Sequence, residues 1–155
     1  MEWKYMKAED AISGKEGTLY AIIDGSVIAV AECKSINAKI TKNKTEFKSL
    51  GHRGTQHKAT GWSGSGTFVI HYASSRWAKM MIDYANKGVD TYFKLQITNE
   101  DPTSAIGRQT VVLSDVNLDE AEVAKIDTDS EILDESMNFT FSDIEMPEQF
   151  KELNS

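Results

Sequence analysis

The chain has 155 residues, with 24 acids against 17 bases, a formal net charge of −7, and 40 % apolar and 26 % charged residues. That length suits one domain of residues 1–155 and is enough to bury a core without disulfides or metals. The composition is that of a globular chain. No stretch approaches the ~18 apolar residues of a transmembrane helix, and no apolar run follows Met1–Tyr5, so neither a membrane span nor a secretory signal is expected. The single cysteine, Cys33, has no partner for an internal disulfide. An acidic chain does not grip nucleic acid through its overall field.

Residues 1–11 read as a flexible lead-in. Thr18–Ile23 is a β-branched and aromatic run, Asp24-Gly25 follows, and Ser26–Cys33 is apolar again. Asp-Gly between apolar runs predicts a two-residue hairpin turn, because both turn residues must take positive φ. Leu19, Ala21 and Ile23 alternate with Tyr20 and Ile22. Ile28 and Val30 alternate with Val27, Ala29 and Ala31. Both faces of the hairpin are therefore apolar and need cover, from a helix or from another subunit. From Glu32 to Thr41 the alternation is strict, with Ile36, Ala38 and Ile40 opposed by Ser35, Asn37, Lys39 and Thr41, as in a sheet with one polar face. Lys42 to Gly66 carries five glycines among Lys, His, Thr and Ser and reads as a 25-residue loop. Loops this long in compact domains tend to be functional. Thr67–Tyr72 is a further strand.

One helix is predicted, with Ser74 or Ser75 as N-cap and Gly88 closing it. Trp77, Met80, Met81, Tyr84 and Ala85 form an apolar stripe that packs on the sheet, while Arg76, Lys79, Asp83 and Lys87 take the wet side. Tyr92–Ile97 and Val111–Val116 read as strands, as does Ala121–Ile126. A loop surrounds Pro102, and Met137, Phe139 and Phe141 mark the last strand. The sum is mainly β: an antiparallel β-barrel or sandwich with one flanking helix at about residues 75–87.

Charge is segregated along the chain. Lys34 to Lys58 holds seven bases and one acid; Asp115 to Ser155 holds thirteen acids and two bases. The segments are two solvated faces, or neutralise each other within one fold, or form complementary patches on neighbouring copies.

Sites for chemistry are scarce. His52 and His57 are five residues apart and lack the partners of a zinc set. Asp127–Glu131 begins like a calcium loop, but Ile132 and Asn138 stand where Gly and Glu are required. Gly61–Gly66 and Gly14–Gly17 lack the Gly-Lys-Ser/Thr ending of a phosphate cradle. Cys33 sits in an apolar strand, and Ser63 and Ser65 have no nucleophile-elbow context. No catalytic residue, metal or cofactor is expected.

Several words occur together in order. They are Ile12–Gly17; Leu50–Arg53 with His57–Gly61 and Gly64–Thr67; Met81–Tyr84 with Lys87–Asp90 and Tyr92-Phe93; Asp115–Asp119; and Phe139–Asp143 with Pro147. This series, covering roughly Ile12 to Pro147, resembles the tail tube proteins of contractile phage tails and their XkdM-like relatives in PBSX-type prophages and R-type bacteriocins. His52 stands where the family more often has a base. The resemblance implies a non-enzymatic structural subunit. Six copies would form a ring, and the rings would stack into a hollow tube inside a contractile sheath, with baseplate and tail terminator proteins at its ends. Such a particle is assembled in the bacterial host cytoplasm, and DNA is met only in transit, through a bore expected to be neutral or acidic. On this reading Tyr20, Ile22, Ile28 and Val30 form an intersubunit apolar hairpin, and Trp77, Met80, Met81 and Tyr84 pack the helix on the sheet. Lys44, Lys48, His52, Arg53, His57, Lys58 and Trp62 form a contact loop between subunits and stacked rings. The competing readings are a monomeric small β-barrel that binds a ligand and an enzyme whose residues assemble only in the fold.

Overall fold

The computed structural model describes residues 6–152. Residues 1–5 of the expected flexible lead-in lie outside that range. Residues Ala8–Asp10 form a 3-10 turn, and the Ala105 amide donates to the Glu9 carbonyl at 2.7 Å, so this part is tied to the body.

The predicted first hairpin is present: β1 (Gly17–Ile23) and β2 (Ser26–Ala29) join through Asp24 and Gly25 at φ 51° and 80°. Tyr20 stands opposite Ala29, Ala21 opposite Ile28, and Ile22 opposite Val27. Directly opposed residues share a face, so Ile28 belongs with Leu19 and Ala21 on the inner side. Tyr20 and Ile22 share the outer side with Val27.

The largest departure from expectation follows. Strand β3 (Cys33–Phe47) and strand β4 (Gln56–His71) form one long hairpin whose ladder runs from Cys33/Ile70 out to Phe47/Gln56. The expected loop over residues 42–66 is therefore mostly paired strand, and only residues 48–55 connect it. The strand signal is missing there because period-2 alternation appears only where one face meets a core, and residues 41–55 are exposed throughout.

Helix α1 (Arg76–Lys87) begins after Ser75, whose side chain makes no capping hydrogen bond; the Arg76 amide donates to Ser74 Oγ at 3.3 Å, and Gly88 at φ 70° closes the helix with its amide donating to the Tyr84 carbonyl. Trp77 is completely buried, edge-on to Phe68 with ring centres 5.2 Å apart, and tilted against Phe93 at 5.8 Å. Met80 and Met81 pack on the core, while Tyr84 is 54 % exposed and borders a groove it shares with Asn117 and Leu118. The helix is pinned by its first turn, while its last turns ride past the sheet. Arg76, expected on the wet side, is half-buried 3.7 Å from Glu32.

The remaining strands are β5 (Phe93–Glu100), β6 (Arg108–Leu118), β7 (Asp134–Phe141) and β8 (Asp143–Glu148). Ala121–Ile126, expected as a strand, forms none. Lys125 is instead drawn to the Asp134 carbonyl at 2.7 Å, and Val123 and Ile126 face solvent. Met137, Phe139 and Phe141 are buried as expected, but β7 is not the last strand. Strand β8 carries Pro147, which a central strand would exclude; it pairs only with β6.

All pairings are antiparallel, in the order β2-β1-β5-β6-β7-β4-β3, with β8 on β6. Strand β6 is the hinge of this sheet. Its first part lies between β5 and β8, and its end, Asn117–Leu118, pairs with β7. Between them Asp115 takes φ 56° at a bulge opposite Lys94, and the Ser142 hydroxyl donates to its carboxylate at 2.8 Å. A bulge bends its strand, and the two wings thereby meet on one core that includes Phe68, Ile70, Leu95, Leu113, Met137 and Phe139. This is the mainly β, one-helix architecture expected from the sequence, left open between β2 and β3.

Candidate functional site

Three surfaces are built from these elements. The first is the β3–β4 hairpin arm. Ile40 faces Gly64, the last ladder position whose partner is buried. The seven residues Thr41–Phe47 continue outward, about 24 Å at ~3.4 Å per residue. Lys44, Lys48, His52, Arg53, His57, Lys58 and Trp62 all lie exposed on the strands or at the tip, so the structure gathers this expected set on one projection. With Lys39 and Lys42 the arm is strongly cationic. Glu46 is its one acid, 3.6 Å from His57 Nε2. Leu50 is a large apolar side chain without cover, and Ile40, Phe47 and Trp62 are partly exposed. At the tip the His52 amide donates to the Ser49 carbonyl, and Gly51 has φ 83°. This is the positive φ that a type II turn needs at its third residue. Leu50 is thereby thrust out, with relative exposure of 105 %. A two-stranded ribbon alone is marginal in water, so the arm's order calls for a partner.

The second surface is the opening between β2 and β3, whose outer edges have no strand partner among the described residues. A cleft of about 650 Å³ lies there, lined by residues that include Leu19, Tyr20, Val30, Cys33 and Ile36. Among the expected hairpin residues, Tyr20 and Ile22 are half-buried on the outer face, and Ile28 is half-buried on the inner one. Val30 is only 4 % exposed and belongs to the chain's own core, with its amide donating to the Leu19 carbonyl at 2.9 Å. The two-residue turn sets the register, so the four expected residues divide between the faces: Ile28 and Val30 lie with Leu19 and Ala21, and Tyr20 and Ile22 lie with Val27. The cleft lies between strand edges and is open to solvent, which is not the enclosed interior that a ligand-binding barrel provides.

The third surface was not anticipated. A groove of about 280 Å³ is bounded by Met81 and Tyr84 of the helix, Asp90 of the following loop, and Asn117, Leu118 and Asp119 at the end of β6. Asn117 Nδ2 donates to Asp90 Oδ1 at 2.7 Å and fixes that carboxylate at the rim. The available signal was the far end of the helical stripe: Tyr84 continues the periodicity but finds no core beneath it.

Polar ties hold the body that carries these surfaces. Asp101 accepts from the Ser13 amide (2.9 Å), the Thr103 amide (2.9 Å) and the Thr103 hydroxyl (2.6 Å), which hold its carboxyl below the usual range, the hydroxyl most of all. Glu148 accepts from the Thr110 hydroxyl and from Arg108 Nε, both at 2.9 Å, and its carboxyl is likewise lowered. At the body end of the β3–β4 hairpin, Asp134 receives Lys34 at 3.0 Å and lies 2.9 Å from His71 Nδ1. The neighbouring Glu135 is 2 % exposed, and neither of its oxygens has a hydrogen-bond partner; burial, then Glu122, pushes its carboxyl up. Burial and Glu32 raise the Cys33 thiol, which disfavours a nucleophilic thiolate. Among the described residues, no three His, Cys, Asp or Glu side chains gather into a metal site, and no helix is long and apolar enough to cross a membrane.

The comparisons with known proteins fit this geometry. Residues 4–148 match the family model described as phage tail tube protein. In Bacillus subtilis (strain 168) the chain is 44 % identical over 146 residues to the uncharacterized protein YqbM, covering 94 % of this chain and 97 % of that one. It is 42 % identical over 147 residues to the phage-like element PBSX protein XkdM, covering 95 % and 97 %. The fold also matches a chain of the 6-fold symmetrised anti-feeding prophage baseplate, with TM-score 0.66, 12 % identity, and 88 % and 94 % covered. A chain of the sheath-tube complex of an extracellular contractile injection system matches with TM-score 0.64, 12 % identity, and 90 % and 93 % covered. A projecting cationic arm and open sheet edges at β2 and β3 suit a self-assembling wall, and this chain belongs to the phage tail tube protein family, whose members are structural subunits of tail tubes.

Proposed function

We propose that six copies of this chain close into a ring through the outer edges of β2 and β3, and that rings stack through the arms into a hollow tube. The tube runs inside a contractile sheath and ends on baseplate and terminator proteins. It serves as a conduit through the target envelope and catalyses nothing. DNA, where present, is in transit through a neutral or acidic bore. Assembly takes place in the bacterial host cytoplasm, and the finished particle is a virion or a headless tail. The single observation that carries the stacking is the arm, which extends about 24 Å past the last supported ladder position. Joining edges around a ring removes the unpaired strands at β2 and β3 that would otherwise template aggregation. The apolar outer side of the first hairpin, Tyr20, Ile22 and Val27, then meets the neighbouring copy.

The test is to excise residues 44–59 and close Asn43 to Thr60 with an Asn-Gly turn. Negative-stain microscopy is expected to show folded subunits or single rings and no long tubes. Tubes of normal length from the shortened chain would remove the arm from stacking. A monodisperse monomer from the full chain, under conditions where it is folded and concentrated, would defeat the assembly reading altogether.

A further inference from the structure

The arm's tip and the groove beside the helix are complementary in shape and charge. At the tip, one aliphatic side chain, Leu50, stands fully in solvent between Lys48 and Arg53. The groove has the opposite plan: apolar walls from Met81, Tyr84 and Leu118, and carboxylates from Asp90 and Asp119. A cavity of about 150 Å³ with apolar walls takes up benzene, so one of about 280 Å³ has room for a leucine side chain and part of its turn. The arm cannot serve its own groove. Its ladder runs on to Phe47/Gln56, with one bulge at Asn43/Lys44, and carries the tip about 24 Å along the strand beyond the last supported pair.

We propose that the tip of one copy's arm seats in the groove of a second copy, with Leu50 between Met81, Tyr84 and Leu118 and with Lys48 and Arg53 over Asp90 and Asp119. This rests on the reading that arms join rings, and it names the receiving surface. The acidic rim steers the cationic tip, and the apolar pocket fixes the register. The groove also selects against other copies' acidic loops, such as residues 119–133, by like-charge repulsion. One copy's groove is filled by another's arm, so the contact is heterologous and propagates instead of closing on itself, as growth of a tube requires.

Two measurements test it. In a Cys33→Ser background, Leu50→Cys and Tyr84→Cys are combined and assembled tubes are mildly oxidised. The expected result on a non-reducing gel is a ladder of cross-linked multimers, absent from either single-cysteine chain. Tubes that form normally but give only monomer overturn the proposal. Separately, the Lys48→Glu/Arg53→Glu pair and the Asp90→Lys/Asp119→Lys pair are each expected to abolish tubes while leaving a folded subunit. An equimolar mixture of the two is expected to restore growth through alternation, since acidic tips then meet basic grooves and basic tips meet acidic grooves; placing all four changes in one chain is also expected to restore it. Failure of that restoration overturns the proposal. Normal tubes from the Asp90→Lys/Asp119→Lys chain also overturn it. If those tubes are then no longer covered by sheath, the groove belongs to the sheath instead. The arm reading fails separately, by normal tubes after excision of residues 44–59. Loss of tubes on excision, together with no cross-linked ladder from the Leu50→Cys/Tyr84→Cys chain, leaves the arm reading standing and removes only the groove.

Discussion

The cross-strand pairs Gly64/Phe141 and Gly66/Phe139 place two aromatic rings over two glycines at one end of the β4–β7 ladder, and the cost of filling one of them can be worked from the geometry. A Cβ added at Gly64 would lie 2.6 Å from both Cδ2 and Cζ of Phe141. Carbon atoms settle at about 3.5–4.0 Å, so the ring must retreat by about 1 Å. Phe141 is 4 % exposed, with Trp62 at 6.1 Å and Phe139 at 6.4 Å between ring centres, and has little room to do so. Overpacking of this kind costs about 1–3 kcal/mol, against a gain of about 0.5–1 kcal/mol from replacing glycine within a strand. Gly64→Ala should therefore lose about 1–2 kcal/mol net, or roughly 2–8 °C in Tm at this chain length. Gly61→Ala is the control: the nearest atom to its Cβ is Asn43 Nδ2 at 4.0 Å, and no loss is expected. Urea titration of dispersed subunits, followed by tryptophan fluorescence, reads the difference. Phe141→Leu shortens the offending group, so Gly64→Ala should cost less in that background, with a coupling of at least about 0.5 kcal/mol. Equal stability of the Gly64→Ala and Gly61→Ala chains, or strict additivity with Phe141→Leu, would refute the reasoning.

Ala21→Asp places an unpaired carboxylate in the core and should unfold the subunit, at a cost of several kcal/mol, whereas Ile22→Asp on the outer face should leave a folded chain that forms no rings; circular dichroism and microscopy separate the two. The lowered Asp101 carboxyl contributes stability that is full above its unfolded value of about 3.9 and lost as pH falls through the folded value. Asp101→Asn should be less stable at neutral pH and lose less on acidification, and identical acid profiles for the two chains would exclude the effect. Glu135 has the opposite sign. Its folded value is raised, so its burden is absent below the unfolded value of about 4.3 and grows as pH rises through the folded one. Glu135→Gln should therefore gain stability relative to the parent between mildly acidic and neutral pH. A parent chain that loses no stability relative to the variant as pH rises from about 4 to neutrality would contradict this.

How far the sequence discloses this fold depends on what each residue faces. Asp24-Gly25 and Ser75…Gly88 are legible because turn and cap chemistry is local: it requires a backbone geometry that few residues supply. Phe93, Leu95 and Met137, Phe139, Phe141 are legible because one face of each strand meets the core. The arm is not, since Thr41–Phe47 meets no core on either face and leaves no alternation to read. Strand β8 is hidden for a related reason: Ile144 is its only residue packed on the core, and Pro147 argues against a strand until an edge position is known. Val123 and Ile126 mislead in the other direction, as apolar residues that the chain leaves in solvent. Of the candidate site, the cationic residues of the arm are legible as a charge cluster. The groove is not, because its two walls, the helix and the end of β6, lie about thirty residues apart in the chain and meet only in the fold.

Strand β6 joins both wings, and its place in the chain has a consequence for synthesis. The β3–β4 hairpin is local and can zip as soon as His71 has left the ribosome. The wings cannot be joined until residues 108–118 emerge, nor the core sealed until Phe141. At about 5–20 residues per second, the seventy residues from 72 to 141 take roughly 4–14 s. Throughout that interval nascent chains on one polysome hold out unpaired β3 edges beside one another. Edge lysines hinder such pairing, and Lys34, Lys39, Lys42 and Lys44 are spaced along that strand. The arm's positive charge thus keeps unfinished copies apart before any finished copy has an acidic surface to offer it.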